Sequence, residues 1–241
     1  MKFAVQLYSL RELVQSPEDL PALFPRIKAL GFDGVEFAGY QGLAAEALRA
    51  ALDAAGLVAM GTHMGLNDLR PENLPATIRF CKTLGMRHIG IGGAPHGTPE
   101  DTAASCAVLK SAYEAGLEQG VVIYYHNHVG EFEPFADGTL AIDSFLAACP
   151  LELDTCWSFC GGVDNYKFLT EHKDRICLVH IKDAAEGHKS AALGEGIVDL
   201  AAVVKAAKEL DLEWLVLEDE TQGTGIESVA KGAKWLQENA K

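Results

Sequence analysis

Short apolar runs alternate with longer stretches of helical periodicity along this chain of 241 residues. Apolar, β-branched runs between turn residues are typical of buried strands, and apolar residues three or four positions apart are typical of helices. Strands are predicted at residues 3–7, 34–37, 57–63, 88–91, from 121 onward, 151–154, 176–181 and 214–217. Helices are predicted at residues 16–30, 44–55, 74–84, 100–119, 140–148, 163–172, 200–210 and 225–239.

This alternation predicts a parallel sheet whose strands are joined by helical crossovers. Eight strand-helix units in a chain of this length match a closed (β/α)8 TIM barrel, which typically needs about 250 residues. A doubly wound open sheet is the alternative, but the sequence has neither a GxGxxG motif after the first strand nor a Walker A motif. Since no linker or low-complexity segment interrupts the pattern, we expect one α/β domain over residues 1–241.

The formal net charge of −14 and the isoelectric point near 4.9 argue against some classes of function. An acidic surface repels the phosphates of nucleic acids and of anionic membranes, so we expect neither nucleic acid nor membrane as a partner. The amino-terminal sequence MKFAVQLYSLREL has an apolar run too short for a signal peptide or a transmembrane helix. We therefore expect a cytoplasmic protein.

Six cysteines are present, and none forms a CxxC pair. They are Cys81, Cys106, Cys149, Cys156, Cys160 and Cys177. A reducing compartment, with most of the thiols as small buried hydrophobic groups, explains this pattern most simply. Cys156 and Cys160 fall near the predicted site, but their spacing alone is not a zinc motif.

The stretch VVIYYHNHVGEFE, residues 121–133, contains the densest group of chemically active side chains. Side chains alternate along a strand, so His126 and His128 point to the same side, and Glu131 follows closely. Burying two imidazoles and a carboxylate without a partner is costly, and a divalent metal or a polar substrate would be such a partner. Two core histidines satisfied by backbone groups or water are the alternative interpretation.

Almost every predicted strand ends in a polar or charged residue. The set is Gln6, Glu36, His63, His126 with His128, Asp154, His180, and Glu218 with Glu220. Active sites of (β/α)8 barrels lie at the carboxyl ends of the strands, so closure of the sheet would gather these groups around one point. Mixed imidazole and carboxylate ligands suit Mn²⁺, Zn²⁺, Co²⁺, Fe²⁺ or Mg²⁺. Strand ends that simply meet solvent would explain one or two such residues, but not the whole set.

Six short motifs carry a resemblance to a known family. They are GFDGVEF (31–37), YHNHVGEFE (125–133), ELDTCW (152–157), VHIKD (179–183), LGEG (193–196) and LEDE (217–220). In this order and spacing the chain resembles the sugar phosphate isomerase/epimerase superfamily, whose members have the xylose isomerase-like barrel. The resemblance extends over nearly the whole chain and implies a metal-dependent enzyme.

The resemblance also implies one divalent metal held by strands five to eight. Asp154 matches the family's Asp, His180 its His and Glu218 its last Glu. The fifth-strand ligand is usually a Glu close before an Asn, whereas His126 stands before Asn127 in this chain. Either His126 replaces that Glu as the fourth ligand, or three protein groups and water hold the metal.

The other strand-end groups would face the substrate. The expected catalytic residues are Glu218, His128, Glu36 and Lys182, with Glu218 or His128 as the base. The expected substrate-binding residues are His63, Glu131, Trp157 and Gln6. Lys182 would neutralise an enolate oxygen, and Trp157 would stack on a sugar face.

A metal that chelates adjacent carbonyl and hydroxyl oxygens acidifies the C–H bond between them, and a carboxylate or imidazole removes the proton. We therefore expect an isomerase or epimerase acting on a keto-sugar or related polyol, a small-molecule partner. A lyase or dehydratase acting on an inosose or 3-keto-glycoside is the alternative. Barrels of this kind commonly form homo-oligomers, but no interface signature is visible in the sequence.

The sequence leaves open two other classes of protein and one other kind of site. An abasic-site endonuclease with three zinc ions shares the barrel, but its basic DNA-facing surface conflicts with the charge of −14. A binding protein that retains the barrel without catalysis is the second class. Gly194 and Gly196 predict a tight loop over the site or a phosphate cradle, although no cluster of basic residues accompanies them.

Overall fold

Eight parallel strands close into a barrel in the computed structural model of the chain, which describes residues 1–221 and 225–241. Around the barrel the strands are β1 (Lys2–Gln6), β2 (Gly34–Ala38), β3 (Val58–Met64), β4 (His88–Ile91), β5 (Val122–His126), β6 (Leu151–Asp154), β7 (Ile176–Ile181) and β10 (Trp214–Leu217). A separate antiparallel hairpin pairs β8 (Asp183–Ala185) with β9 (Lys189–Ala191). The prediction of a closed (β/α)8 barrel is confirmed.

Helices cover the outside of the barrel. They are α1 (Asp19–Ala29), α2 (Ala45–Ala55), α3 (Leu74–Leu84), α4 (Pro99–Glu118), α5 (Ala141–Ala148), α6 (Thr155–Cys160), α7 (Asn165–Glu171), α8 (Leu200–Glu209) and α9 (Ile226–Asn239). Short 3-10 helices lie at Leu7–Leu13, Leu66–Leu69 and Gly130–Phe132. Among the helices of residues 1–221 and 225–241, none combines the length and apolarity needed to cross a bilayer.

Local sequence signals explain where several helices begin and end. Thr98 caps α4 by accepting a hydrogen bond from the Asp101 amide, and Pro99 occupies the first turn, where its missing N–H costs nothing. Gly56 and Gly85 follow α2 and α3 in the left-handed conformation that favours glycine. The sequence did not predict α6, which begins directly at the end of β6.

The barrel interior changes from apolar to polar along the strands. Its amino-terminal end is filled by a small apolar cluster of Ala4, Met60, Tyr124, Leu178, Trp214 and Val216. Side chains that are two residues apart lie on the same face of a strand. The residues two positions after Ala4, Tyr124, Leu178 and Val216 therefore also point inward. Those residues are Gln6, His126, His180 and Glu218. The polar site therefore lies at the carboxyl ends of the strands, and the apolar cluster fills the barrel interior beneath it.

Candidate metal centre and active-site cavity

A cavity of about 560 Å³ opens at the carboxyl ends of the strands. It is lined by Tyr8, Ala38, His63, Met64, Gly92, Gly93, His126, His128, Trp157, Glu218 and Glu220. Five of the residues predicted from the sequence to act at the site are among them: His63, His126, His128, Trp157 and Glu218. The cavity is thus in the position typical of active sites in this fold.

The four predicted metal ligands converge at the floor of this cavity. One nitrogen or oxygen atom from each of His126, Asp154, His180 and Glu218 lies within 4.8 Å of the others, and all four side chains are buried. Strand register contributes to this arrangement, because Asp154 pairs with His180 on the neighbouring strand. His180 Nδ1 lies 3.3 Å from Glu218 Oε2 and 4.0 Å from Asp154 Oδ2.

The state of Asp154 indicates that this group fits a cation. Its Oδ1 accepts a hydrogen bond from the Trp157 amide, whereas the buried Oδ2 has no hydrogen-bond partner among the described residues. Burial, opposed by Lys182 and reinforced by the Glu218 carboxylate, raises the pKa of the Asp154 carboxyl to about 7. A divalent cation in contact with this oxygen would favour the ionised form and replace the missing partner.

Lys182 is placed beside the four ligand candidates. Its buried Nζ lies 3.1 Å from Glu218 Oε2, 2.7 Å from Glu220 Oε1 and 3.8 Å from Asp154 Oδ2. The Trp157 ring covers the ammonium group at 4.7 Å. Burial lowers the pKa of Lys182, but the three carboxylates outweigh burial and raise it above its ordinary value. Lys182 therefore remains charged and is already engaged by protein carboxylates.

Glu152 is the site residue that sequence reasoning missed. It lies two residues before Asp154 on β6, on the same face and one pleat deeper, and it is fully buried. Its Oε2 lies 2.7 Å from His63 Nε2, 3.2 Å from His180 Nε2 and 3.6 Å from His126 Nδ1. The alternation in the motif ELD would have identified it.

Glu152 also belongs to a second group with metal-ligating atoms, formed with His63, His126 and His180. Glu152 lies closer to two of these histidines than two ligands of one bound ion lie to each other. Ligands about 2.1 Å from a tetrahedral ion lie about 3.4 Å apart, whereas Glu152 and His63 are at the hydrogen-bond distance of 2.7 Å. We therefore treat this deeper group as a hydrogen-bonded network and the Asp154 group as the candidate metal centre.

Glu36 and Gln6 lie below the cavity rather than in its lining. Both are fully buried, and Gln6 Nε2 donates to Glu36 Oε2 at 2.8 Å. The same oxygen lies 2.6 Å from His180 Nε2, and the Tyr124 hydroxyl donates to Glu36 Oε1. Burial raises the pKa of Glu36, but His63 and His180 outweigh burial and lower it to about 2, so the carboxylate is ionised. Both residues contact protein groups and are not part of the cavity lining, and the roles expected for them from the sequence stay predictions.

Glu131 is likewise occupied by protein groups. The Tyr125 hydroxyl donates to its Oε1 at 2.5 Å, and the His128 amide donates to its Oε2 at 2.9 Å. The side chain is fully buried and does not line the cavity. Glu131 therefore holds the turn that presents His128, and its expected contact with a substrate stays a prediction.

Three imidazoles and an indole form a row along the cavity wall. Ring centroids are 4.8 Å apart for His63 and His126, 5.1 Å for His126 and His128, and 6.0 Å for His128 and Trp157. Burial lowers the pKa of His128. Burial also lowers the pKa of His63, but the Glu36 and Glu152 carboxylates outweigh it and raise the pKa above the ordinary value. The row therefore places an imidazole of lowered pKa and one of raised pKa on either side of His126.

Comparison with known proteins gives one family and many similar folds. The model of the family described as xylose isomerase-like TIM barrel matches residues 24–239. A sugar phosphate isomerase/epimerase from Parabacteroides distasonis superposes with a TM-score of 0.79 at 25% sequence identity, covering 98% of this chain and 93% of that chain. Comparison with curated proteins gives no match.

Two further solved structures are similar in fold. Another sugar phosphate isomerase/epimerase from Parabacteroides distasonis has a TM-score of 0.82 at 22% identity, with 98% of both chains covered. A 3-keto-D-glucoside 4-epimerase from E. coli has a TM-score of 0.71 at 18% identity, with 99% of both chains covered. At this level of identity, these two likenesses show the shared barrel and no more.

Proposed function

The chain belongs to the xylose isomerase-like TIM barrel family, and on this premise we propose that it is a divalent-metal-dependent isomerase or epimerase acting on a keto-sugar or related polyol. The convergence of the four ligand candidates at the cavity floor carries the proposal, together with Asp154 Oδ2, which accepts no hydrogen bond from a described residue. Structural neighbours that are named as sugar isomerases and epimerases support the reaction class.

We assign the metal ligands to His126, Asp154, His180 and Glu218. His126 then stands where the family resemblance implies a Glu, so a neutral ligand would take the place of a carboxylate. The donor set of two imidazoles and two carboxylates suits Mn²⁺, Zn²⁺, Co²⁺ or Fe²⁺ better than Mg²⁺, which prefers oxygen ligands. A divalent cation bound there would acidify the C–H bond next to a substrate carbonyl.

His128 and His63 are the groups that we assign to proton transfer. Burial lowers the pKa of His128, so its imidazole is neutral at physiological pH and able to accept a proton. His63 is paired with Glu152 at 2.7 Å through Nε2, and its Nδ1 faces Gly92, another residue of the cavity wall. Glu152 therefore orients His63 toward the cavity, as a carboxylate orients the base in other acid–base pairs.

The positions of these two histidines suit reversible proton transfer at adjacent carbons or opposite faces of one carbon. Because they flank His126, a substrate held beside that residue would have an imidazole on each side. Return of the proton to the neighbouring carbon would give an isomer, and return to the other face of the same carbon would give an epimer. Trp157, on the cavity wall, would stack on the apolar face of the sugar.

Metal analysis combined with solvent-exchange NMR tests the proposal. The purified chain should contain about one divalent ion, and a panel of keto-sugars incubated with it in D₂O should incorporate deuterium next to the carbonyl. Keeping inososes and 3-keto-glycosides in the panel separates the lyase, because an eliminated product would accumulate. Three zinc ions per chain would favour the endonuclease, and a chain that takes up no metal and exchanges no proton would contradict the proposal.

A further inference from the structure

Carboxylates occupy the two loops in which barrels of this kind most often bind phosphate, those after the seventh and eighth barrel strands. From this we propose that the cavity takes an uncharged keto-sugar and discriminates against sugar phosphates. The inference rests on the proposed function and specifies its substrate class. Because two of the similar structures are named as sugar phosphate isomerases/epimerases, the two substrate classes need to be separated for this chain.

The loop after β7 uses its amide groups to bind its own carboxylate. Asp183 is buried, and its Oδ2 accepts from the Gly194 amide at 3.0 Å and the Gly196 amide at 2.9 Å. Its Oδ1 accepts from the amides of Ala184 at 2.9 Å and Val198 at 3.1 Å. A Cβ at position 196 would collide with the Asp183 carboxylate, which explains the glycine there.

The predicted phosphate cradle therefore already contains an internal anion. Amides that donate to a buried carboxylate are not free to bind a phosphate oxygen, and the charge of Asp183 would repel a second anion. Glu195, between the two glycines, is exposed and pairs with Lys231 at 2.7 Å instead of reaching the cavity. The loop is consequently a structural turn, closed by Asp183.

The loop after β10 begins with three acidic residues, Glu218, Asp219 and Glu220. Glu218 and Glu220 line the cavity, while Asp219 accepts hydrogen bonds from the Thr221 amide and the Ser228 hydroxyl. The next three residues of the sequence are Gln, Gly and Thr, so positions 222–224 supply no positive charge. An anionic substituent on this side would therefore face carboxylates.

No Lys or Arg occurs among the described residues that line the cavity. Lys182, beneath the Trp157 ring, is surrounded by the three carboxylates described above. Arg11 lies beside Tyr8, where its guanidinium stacks over the Tyr8 ring at 4.2 Å and donates to the Tyr8 carbonyl. These contacts are made to a residue of the cavity lining, and Arg11 itself is not part of that lining.

The same lining suits an uncharged polyol. Carboxylates are strong hydrogen-bond acceptors for sugar hydroxyls. Glu220 lines the cavity with a side chain that is one quarter exposed, and only its Oε1 is paired with Lys182. The aromatic faces of Tyr8 and Trp157 provide apolar surface for the C–H face of a sugar ring. Among residues 1–221 and 225–241, the cavity lining therefore offers groups that bind hydroxyls and ring faces, and no Lys or Arg that would bind a phosphate.

Equilibrium binding of matched pairs tests this inference. Each pair consists of a ketohexose and its terminal phosphate ester, titrated by calorimetry into the metal-loaded protein. We expect the uncharged member of the best-binding pair to bind at least tenfold more tightly than its ester. An ester that binds as tightly as the free sugar or more tightly would overturn the inference, and so would binding of neither member across the panel.

Two variants test which carboxylate makes the cavity prefer the free sugar over its phosphate ester. Glu220→Gln should strengthen binding of the ester at least threefold while changing binding of the free sugar less, and Glu195→Gln, which removes an exposed carboxylate of the Asp183 loop, should change neither. Ester binding that disappears in Arg11→Gln would identify a phosphate site and contradict the inference. Deuterium exchange on the same compounds keeps the two proposals distinguishable, because a free sugar that binds without exchange would contradict only the isomerase or epimerase assignment.

Discussion

Glu36 Oε2 lies 2.6 Å from His180 Nε2 across the barrel interior, between residues that are 144 positions apart in the sequence. This contact leaves Nδ1 of His180 facing Asp154 and Glu218. Gln6 and the Tyr124 hydroxyl in turn fix the Glu36 carboxylate. A carboxylate that accepts from the second nitrogen of a ligating imidazole fixes its tautomer and orientation and raises its basicity.

We predict that Glu36→Gln weakens metal binding about 10–100-fold, as is typical when such a partner of a ligating histidine is altered. The amide still accepts a hydrogen bond but has lost the charge that favours the required tautomer. Calorimetric titration of the metal-free protein with Mn²⁺ or Zn²⁺ measures the affinity, and the visible spectrum of the Co²⁺ form reports the ligand geometry. Glu131→Gln, at an equally buried carboxylate that contacts Tyr125 and His128, is the control. Equal affinity in the Glu36 variant and the wild type would refute the positioning role.

The proton-transfer assignment predicts a separate effect on turnover. His63→Gln and His128→Gln should each lower kcat about 10²–10⁴-fold, the range typical of lost acid–base catalysis, with metal content unchanged. Deuterium exchange by NMR and elemental analysis of the same samples give the two quantities. His172→Gln, a histidine that packs against Phe168 on the outside of the barrel, should retain full exchange. Normal turnover in both cavity variants would remove His63 and His128 from the mechanism.

Asp183 should contribute more to stability than an ordinary surface carboxylate. Asp183→Ala leaves four amides without their acceptor, and each unsatisfied buried group costs about 1–3 kcal/mol, so we expect a loss of about 3 kcal/mol or more. Asp199→Ala, which removes a cap from one amide of α8, should cost about 1 kcal/mol. Urea unfolding measures both free energies. A loss below 1 kcal/mol at Asp183 would show that the loop does not depend on it.

The cysteines should be slow to react in the folded protein. Burial raises the pKa of the Cys106 thiol to about 11, so about one thousandth is thiolate at pH 8, on the order of a hundredfold less than for a free cysteine. The alkylation rate should therefore rise about tenfold per pH unit between pH 8 and 10. Mass spectrometry of the Cys106 peptide after iodoacetamide treatment measures it, and a rate equal to that of the urea-unfolded chain at pH 8 would contradict the assignment.

Much of the fold follows from the sequence because its determinants are local. Apolar runs, glycine stops and the position of polar residues at strand ends specify each unit without reference to distant parts of the chain. The bounds of β4, β6, β7 and β10 match the predicted ones. The sequence does not predict helix α6 because no loop separates it from β6. Its cap is Asp154, the last residue of that strand and also a residue of the site.

The depth of each polar residue in the barrel was harder to predict. The sequence places Gln6, Glu36 and His180 at strand ends, but which of them faces the cavity depends on contacts across the sheet. Glu36 meets His180 only because strands that are distant in sequence close the barrel. Glu152 was overlooked because it lies inside a strand that reads as buried, where a carboxylate is tolerated only by virtue of the neighbouring imidazoles.

The central claim is that one divalent cation binds among His126, Asp154, His180 and Glu218. Anomalous diffraction from crystals of the metal-loaded protein, collected at the absorption edge of that metal, tests it most directly. We predict one strong peak within about 2.0–2.3 Å of a ligand atom of each of the four residues. A peak among His63, Glu152 and His180 instead, or the absence of any peak at the cavity floor, would contradict the account.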